Sequence, residues 1–178
     1  MDNKNFELAT LGTGCFWCTE AVFDTLMGVD SVFPGYSGGH VVNPTYEQIC
    51  EKTTGHAEVV QIKFDPTVIS FEDLLEVFWR THNPTTPNRQ GNDVGPQYRS
   101  VIFYHDENQK EMAEAVVKKV ADFYDKPIVT EISPLDVFYK AEDNHQDYYR
   151  NNKEQGYCSF VITPKLSKLR KLYGDRLK

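Results

Sequence analysis

Leu8-Ala9-Thr10-Leu11-Gly12-Thr13-Gly14-Cys15-Phe16-Trp17-Cys18-Thr19-Glu20-Ala21-Val22 is the stretch whose reading decides how the chain folds. Residues 8–13 form an apolar, strand-like run broken by Gly12 and Gly14. A helical pattern then starts at Phe16 and carries Ala21, Val22 and Leu26 to a stop at Gly28. Cys15 therefore stands where a strand hands over to a helix. A sulfur at that point faces unpaired backbone N–H groups and the positive end of the helix dipole, which favours the thiolate. The position predicts a nucleophile, with the aromatic faces of Phe16 and Trp17 beside it. Such faces suit an apolar substrate group, though filling the core under the helix would explain the pair equally well.

Further along, Val29 to Phe33 reads as a second strand that ends in the glycine-rich turn Gly35-Tyr36-Ser37-Gly38-Gly39. Asn43-Pro44 opens a short helix through Tyr46 and Ile49, in which Cys50 is expected to be buried. Ala57 to Phe64 is strand-like, with Val60, Ile62 and Phe64 on one face. Ser70 and Asp73 make a capping arrangement for a helix carrying Leu74, Leu75, Val77 and Phe78. From His82 to Tyr98 there are three prolines, two glycines and three asparagines, the composition of a long polar loop and a candidate site wall. A strand at Ser100 to Tyr104, a helix from about Glu107 to Tyr124, a strand at Ile128 to Ile132 and a helix around Glu142 to Asn151 follow. The tail from Pro164 to Lys178 carries six basic residues against one acid, with Leu166, Leu169 and Leu172 spaced to dock a terminal helix.

Strands alternating with helices predict an α+β chain, a two-layer α/β sandwich with a mixed sheet, built on a ferredoxin-like core with long loops and a C-terminal extension. The 178 residues fit one catalytic domain, with a regular core over about 6–152 and a C-terminal segment over about 153–178. The formal charge of −7 gives no electrostatic pull toward nucleic acid or anionic membrane. The start Met1-Asp2-Asn3-Lys4-Asn5-Phe6-Glu7 lacks the pattern of a secretory signal, and no apolar run is long enough to span a bilayer, so a cytoplasmic monomer is expected.

In a reducing compartment the four cysteines, Cys15, Cys18, Cys50 and Cys158, point to reactive or buried thiols rather than a permanent disulfide framework. Cys15-Phe16-Trp17-Cys18 is a C-x-x-C pair, open to dithiol exchange, half a zinc site or coincidence. Zinc is the weakest of these, because the five histidines are scattered. Thioredoxin-like exchange usually places Trp before the first Cys, whereas here it lies between the two.

Five blocks carry a resemblance. They are Gly14-Cys15-Phe16-Trp17-Cys18-Thr19-Glu20; Gly35-Tyr36-Ser37-Gly38-Gly39 with Asn43-Pro44-Thr45-Tyr46-Glu47; Thr54-Gly55-His56-Ala57-Glu58; Arg89-Gln90-Gly91-Asn92-Asp93-Val94-Gly95 with Gln97-Tyr98-Arg99-Ser100; and Ala141-Glu142-Asp143 with His145-Gln146. In this order the chain resembles the A-type peptide methionine sulfoxide reductases from about Gly12 to Cys158.

The resemblance implies thiol-dependent reduction of methionine S-sulfoxide, free and in proteins, as repair after oxidation. The implied nucleophile is Cys15, the methyl-holding pocket Phe16 and Trp17, and the oxygen-binding groups Glu58, Tyr46 and Tyr98. Glu58 would have to be a neutral acid held protonated by burial. Asp93 matches a position in the same hydrogen-bond network, while His56 and His145 read as supports. The sulfenic acid left on Cys15 would be resolved by Cys158, or alternatively by Cys18. No cysteine follows Cys158 to relay the disulfide. The implied reductant is thioredoxin, replaceable by dithiothreitol in vitro, with no bound metal or organic cofactor. A general thiol–disulfide oxidoreductase and a redox-sensing module are the rival readings.

Overall fold

The computed structural model describes residues 4–178. Six strands form one sheet in the order β7-β6-β1-β3-β2-β8. They are β1 (Glu7–Thr13), β2 (Val29–Ser37), β3 (Ala57–Phe64), β6 (Ser100–Tyr104), β7 (Glu131–Pro134) and β8 (Tyr139–Lys140). All neighbours are antiparallel except β6 and β7, so the sheet is mixed. With α1 (Phe16–Phe23) and α3 (Phe71–Arg80), the four central strands make a β-α-β-β-α-β unit, the expected ferredoxin-like core.

Alternation along the strands sets the layers. Ala9, Leu11, Val60, Ile62, Phe64 and Ile102 face α1, α3 and α4 (Glu107–Val120), where Phe16, Val22, Phe23, Leu74, Leu75, Phe78 and Val116 complete the main core. Ala57, Val59, Val101 and Phe103 face the other way and are covered by Leu135 and Phe138. α3 starts in a complete capping box between Ser70 and Asp73, which satisfies two otherwise unpaired backbone N–H groups.

Several boundaries shift, each for a tertiary reason. β2 continues through Pro34-Gly35-Tyr36-Ser37 because those residues pair with Val60 to Ala57, so part of the glycine-rich segment is strand. The polar loop holds a small hairpin of β4 (Arg89–Gln90) and β5 (Asp93–Val94), then a 3-10 turn at Pro96–Tyr98. The helix expected to reach Tyr124 leaves α geometry after Val120, and β7 starts at Glu131 because its parallel register begins opposite Val101.

The helix expected around Glu142 to Asn151 is broken into a 3-10 turn at Asp143–His145 and α5 (Tyr148–Asn151), with Asp147 left-handed between them at φ 53°. In α6 (Thr163–Tyr173) Leu169 is buried and Leu166 packs on the core. Leu172 is 45 % exposed, so two of the three tail leucines dock. Among the described residues no helix is long and apolar enough to cross a membrane.

Candidate active site

Glu58 shares the strand parity of Val60, Ile62 and Phe64, so β3 aims it at the helix side of the sheet, under the first turn of α1. There its Oε1 accepts the N–H of Phe16 at 3.1 Å, one of the N–H groups that a helix leaves unpaired at its start. Gly14 makes the hand-over from β1 possible. It has φ 114°, and a Cβ there would lie 2.7 Å from Cβ of Gln90. Cys15 is the N-cap of α1, its carbonyl accepting from Cys18 N at 3.1 Å and Thr19 Oγ1 at 3.2 Å.

Electrostatics follow from burial. Glu58 is 2 % exposed, and desolvation lifts its pKa from 4.5 to about 8, against the Phe16 N–H, which favours the anion. At neutral pH it is a protonated acid with a donor to offer. Tyr46 and Tyr98 stand close enough for the Glu58 charge to act on both; burial and that charge raise both phenols well above their usual range, so they remain neutral donors. Tyr46 is the first residue of α2 (Tyr46–Cys50). A capping box of Thr45 and Gln48 and the Glu142 carboxylate, 2.9 Å from Tyr46 N, fix its place.

Cys15 departs from expectation. The Trp17 N–H does favour its anion, yet burial, the interaction with Cys18 and the charges of Glu58 and Cys18 together push the Cys15 thiol well up. Dehydration outweighs the helix start. The two thiols act on each other, and Cys18 is the more acidic, lowered to about 7 mainly by its interaction with Cys15. Cys50 is also corrected: it lies at the end of α2 beside Tyr46, but it is exposed.

The candidate residues converge. Cys15, Cys18 and Cys158 share one apolar cluster, with Trp17, Tyr98, Tyr148 and Tyr157 packed against it. Cys158, fully buried, is raised by burial and by the Cys18 charge. Asp93, in β5, accepts the Tyr157 hydroxyl at 2.7 Å, and that same hydroxyl lies 3.5 Å from Cys18 Sγ. Phe16 is fully buried against Tyr36 and His145, so it fills core under the start of α1.

Other neighbours were not singled out from the sequence as site residues. The Trp17 indole N–H donates to Nδ1 of His145 at 3.1 Å, and Tyr148 stacks on Trp17 with centroids 3.7 Å apart. The His145 ring also lies 4.3 Å from that of Tyr46, which makes it a site wall rather than a remote support. His56 does hold a turn, accepting Gly39 N at 2.9 Å. The run of aromatics at Tyr148, Tyr149 and Tyr157 was the available signal for this aromatic cover.

A family model described as peptide methionine sulfoxide reductase matches residues 7–177. The peptide methionine sulfoxide reductase MsrA of Saccharolobus solfataricus is 58 % identical over 172 residues, 97 % of each chain. Mxr1 from Saccharomyces cerevisiae in reduced form superposes with a TM-score of 0.81 at 33 % identity, covering 88 % of this chain and 91 % of that one. Mxr1 in complex with Trx2 matches with a TM-score of 0.57 at 26 % identity, over 83 % of this chain and 87 % of that one.

Proposed function

We propose, since this chain belongs to the peptide methionine sulfoxide reductase family, that Cys15 is the atom that takes the sulfoxide oxygen and Glu58 the acid that delivers the proton. The chain reduces methionine sulfoxide to methionine, a thioredoxin-dependent repair of oxidised protein. Its further specificity for the S epimer, in free methionine and in proteins, belongs to this proposal.

The observation that carries the mechanism is a buried Glu58 whose carboxyl accepts the Phe16 N–H, one residue from Cys15, in a setting whose desolvation favours the neutral acid. Attack of the Cys15 sulfur on the substrate sulfur pushes charge onto the sulfoxide oxygen. That oxygen departs only if it is hydrogen-bonded and protonated. Glu58 supplies the proton, and the neutral Tyr46 and Tyr98 hydroxyls supply further donors. The Cys15 proton has an acceptor in the neighbouring Cys18 thiolate, whose acidity is raised by its interaction with Cys15. Phe16 and Trp17 receive the substrate's methyl group, and Asp93 belongs to the surrounding hydrogen-bond network. The net step converts thiol and sulfoxide into sulfenic acid and thioether.

Cys158 then attacks the sulfenic acid, giving a Cys15–Cys158 disulfide and water, and a dithiol reductant restores both thiols while becoming a disulfide itself. Thioredoxin fits that role, and the complex of Mxr1 with Trx2 supports it. Cys18 is the second candidate for resolution, because it lies in the same buried cluster three residues from Cys15. The chain acts as one catalytic domain, with residues of about 153–178 carrying the resolving thiol.

Chiral product analysis with both methionine sulfoxide epimers and dithiothreitol tests this reading. Wild type should consume the S epimer alone, and Cys15→Ser should consume neither. Turnover by Cys15→Ser contradicts it.

A further inference from the structure

Glu20, in the second turn of α1, is a buried acid that the reaction does not use. It is 3 % exposed, and burial lifts its carboxyl to about 7. Of Arg150, Lys153 and Arg170, which line one hollow with Glu20, Arg150 is engaged elsewhere, 2.8 Å from Asp24 and 3.8 Å from Asp147. The partners of Glu20 are two backbone N–H groups at the start of α5: Oε2 accepts from Asp147 at 2.9 Å and Oε1 from Tyr148 at 3.3 Å. The cost of burying this carboxyl is offset by those two backbone N–H bonds, which tie it to one place on the chain.

The geometry shows what that tie does. Asp147 has φ 53°, a left-handed conformation uncommon outside glycine, although Asp tolerates it better than most residues. This bend turns Tyr148 back over α1, where its ring lies on Trp17 at 3.7 Å between centroids and 6° between planes. The Tyr148 hydroxyl reaches Gln155, whose carbonyl accepts Ser159 N at 2.9 Å, so the turn bearing Cys158 hangs from the same point.

We infer that Glu20 is a positioning residue for sulfoxide reduction: it clamps the Asp147–Tyr148 turn so that Tyr148 fixes the Trp17 wall of the substrate site. This rests on the reading that places the substrate methyl group against Phe16 and Trp17. Glu20 touches no reacting atom; it acts through Tyr148. Losing the clamp frees the Trp17 ring and weakens substrate binding more than the bond-making step.

Trp79→Phe leaves Trp17 as the single tryptophan, since the chain has two. In that background, acrylamide quenching of Trp17 is measured beside single-turnover reduction of a short peptide carrying methionine S-sulfoxide. Glu20→Ala should increase quenching and raise the half-saturating peptide concentration about tenfold, with the saturated rate changed less than about threefold. Tyr148→Ala should do the same, and the double variant should be no worse than either single one. Glu20→Gln keeps the shape and one acceptor, so it should fall between and serves if the alanine variant does not fold. Wild-type quenching and half-saturation in the Glu20 variants, or effects that add fully to Tyr148→Ala, overturn the inference. Quenching needs no turnover, so it still judges the clamp if the peptide is not reduced at all.

Discussion

The head of α1 and the segment from Asp143 to Ile162 meet at the same cluster of sulfurs, yet they are held in different ways. The first is fixed by the sheet. β1 delivers Cys15, β3, which pairs with both β1 and β2, delivers Glu58 opposite Tyr36, and Thr13 bonds Thr19 at 2.7 Å across the turn. The second pairs with no strand. It is attached by side chains: Glu20 to the α5 turn, Tyr148 and His145 to Trp17, and Tyr157 to Asp93. Oxygen transfer needs donors that do not move, because preorganised groups stabilise developing charge without rearranging. Forming a disulfide needs the reverse, since Cα atoms must come to about 4.4–6.8 Å with a set torsion. A segment hung on a few bonds can make that approach.

The sharpest way to break this division is to remove a thiol on each side. Cys15→Ser should abolish all reduction. Cys158→Ala should still release one equivalent of methionine per chain in the absence of reductant but should lose thioredoxin-driven cycling; undiminished cycling moves resolution to Cys18. Next in size, Glu58→Gln should lower the saturated single-turnover rate by about 10²–10³-fold while the peptide concentration at half-saturation changes little. Retention of rate would take the acid away from the fixed side.

Tyr157→Phe removes the hydroxyl that Asp93 accepts, so it should speed amide exchange across residues 148–158 and leave the exchange of β1 and β3 unchanged. Equal acceleration in both regions would erase the distinction between them.

The remaining expected effect is on stability. The folded Glu58 keeps a proton from 4.5 up to about 8 that the unfolded chain has released, so the contribution of this one group to stability is lost as pH rises through that window. Glu58→Gln cannot ionise. Its stability relative to wild type should therefore grow from pH 4.5 to pH 8 by about 2–4 kcal/mol, measured by urea unfolding. A difference that stays constant with pH would show that Glu58 is not held protonated.

The fixed side was the legible side. Cys15 at a strand-to-helix junction, the alternation of Val60, Ile62 and Phe64, and the Ser70–Asp73 cap follow from local periodicity and turn chemistry, which one sequence displays. The residue partners of the sheet are long-range but regular, so the mixed α/β architecture followed as well. The hung side was harder to read. Asp147 in a left-handed bend leaves no mark in composition, and the side chain its N–H bonds to, Glu20, is more than a hundred residues away. The raised Cys15 thiol was missed because helix position is local and visible, whereas burial by the C-terminal cover is tertiary. For the same reason Cys50, apolar in its surroundings by sequence, lies on the surface at the end of α2.

Difference infrared spectroscopy of the carboxyl stretch, comparing wild type with Glu58→Gln across pH, tests the neutral acid directly. A protonated carboxyl band present at pH 7, absent from the Gln variant and titrating near 8, is the result expected from the burial of Glu58. A Glu58 carboxylate already ionised at pH 7, with its transition near the ordinary 4.5, would contradict the account.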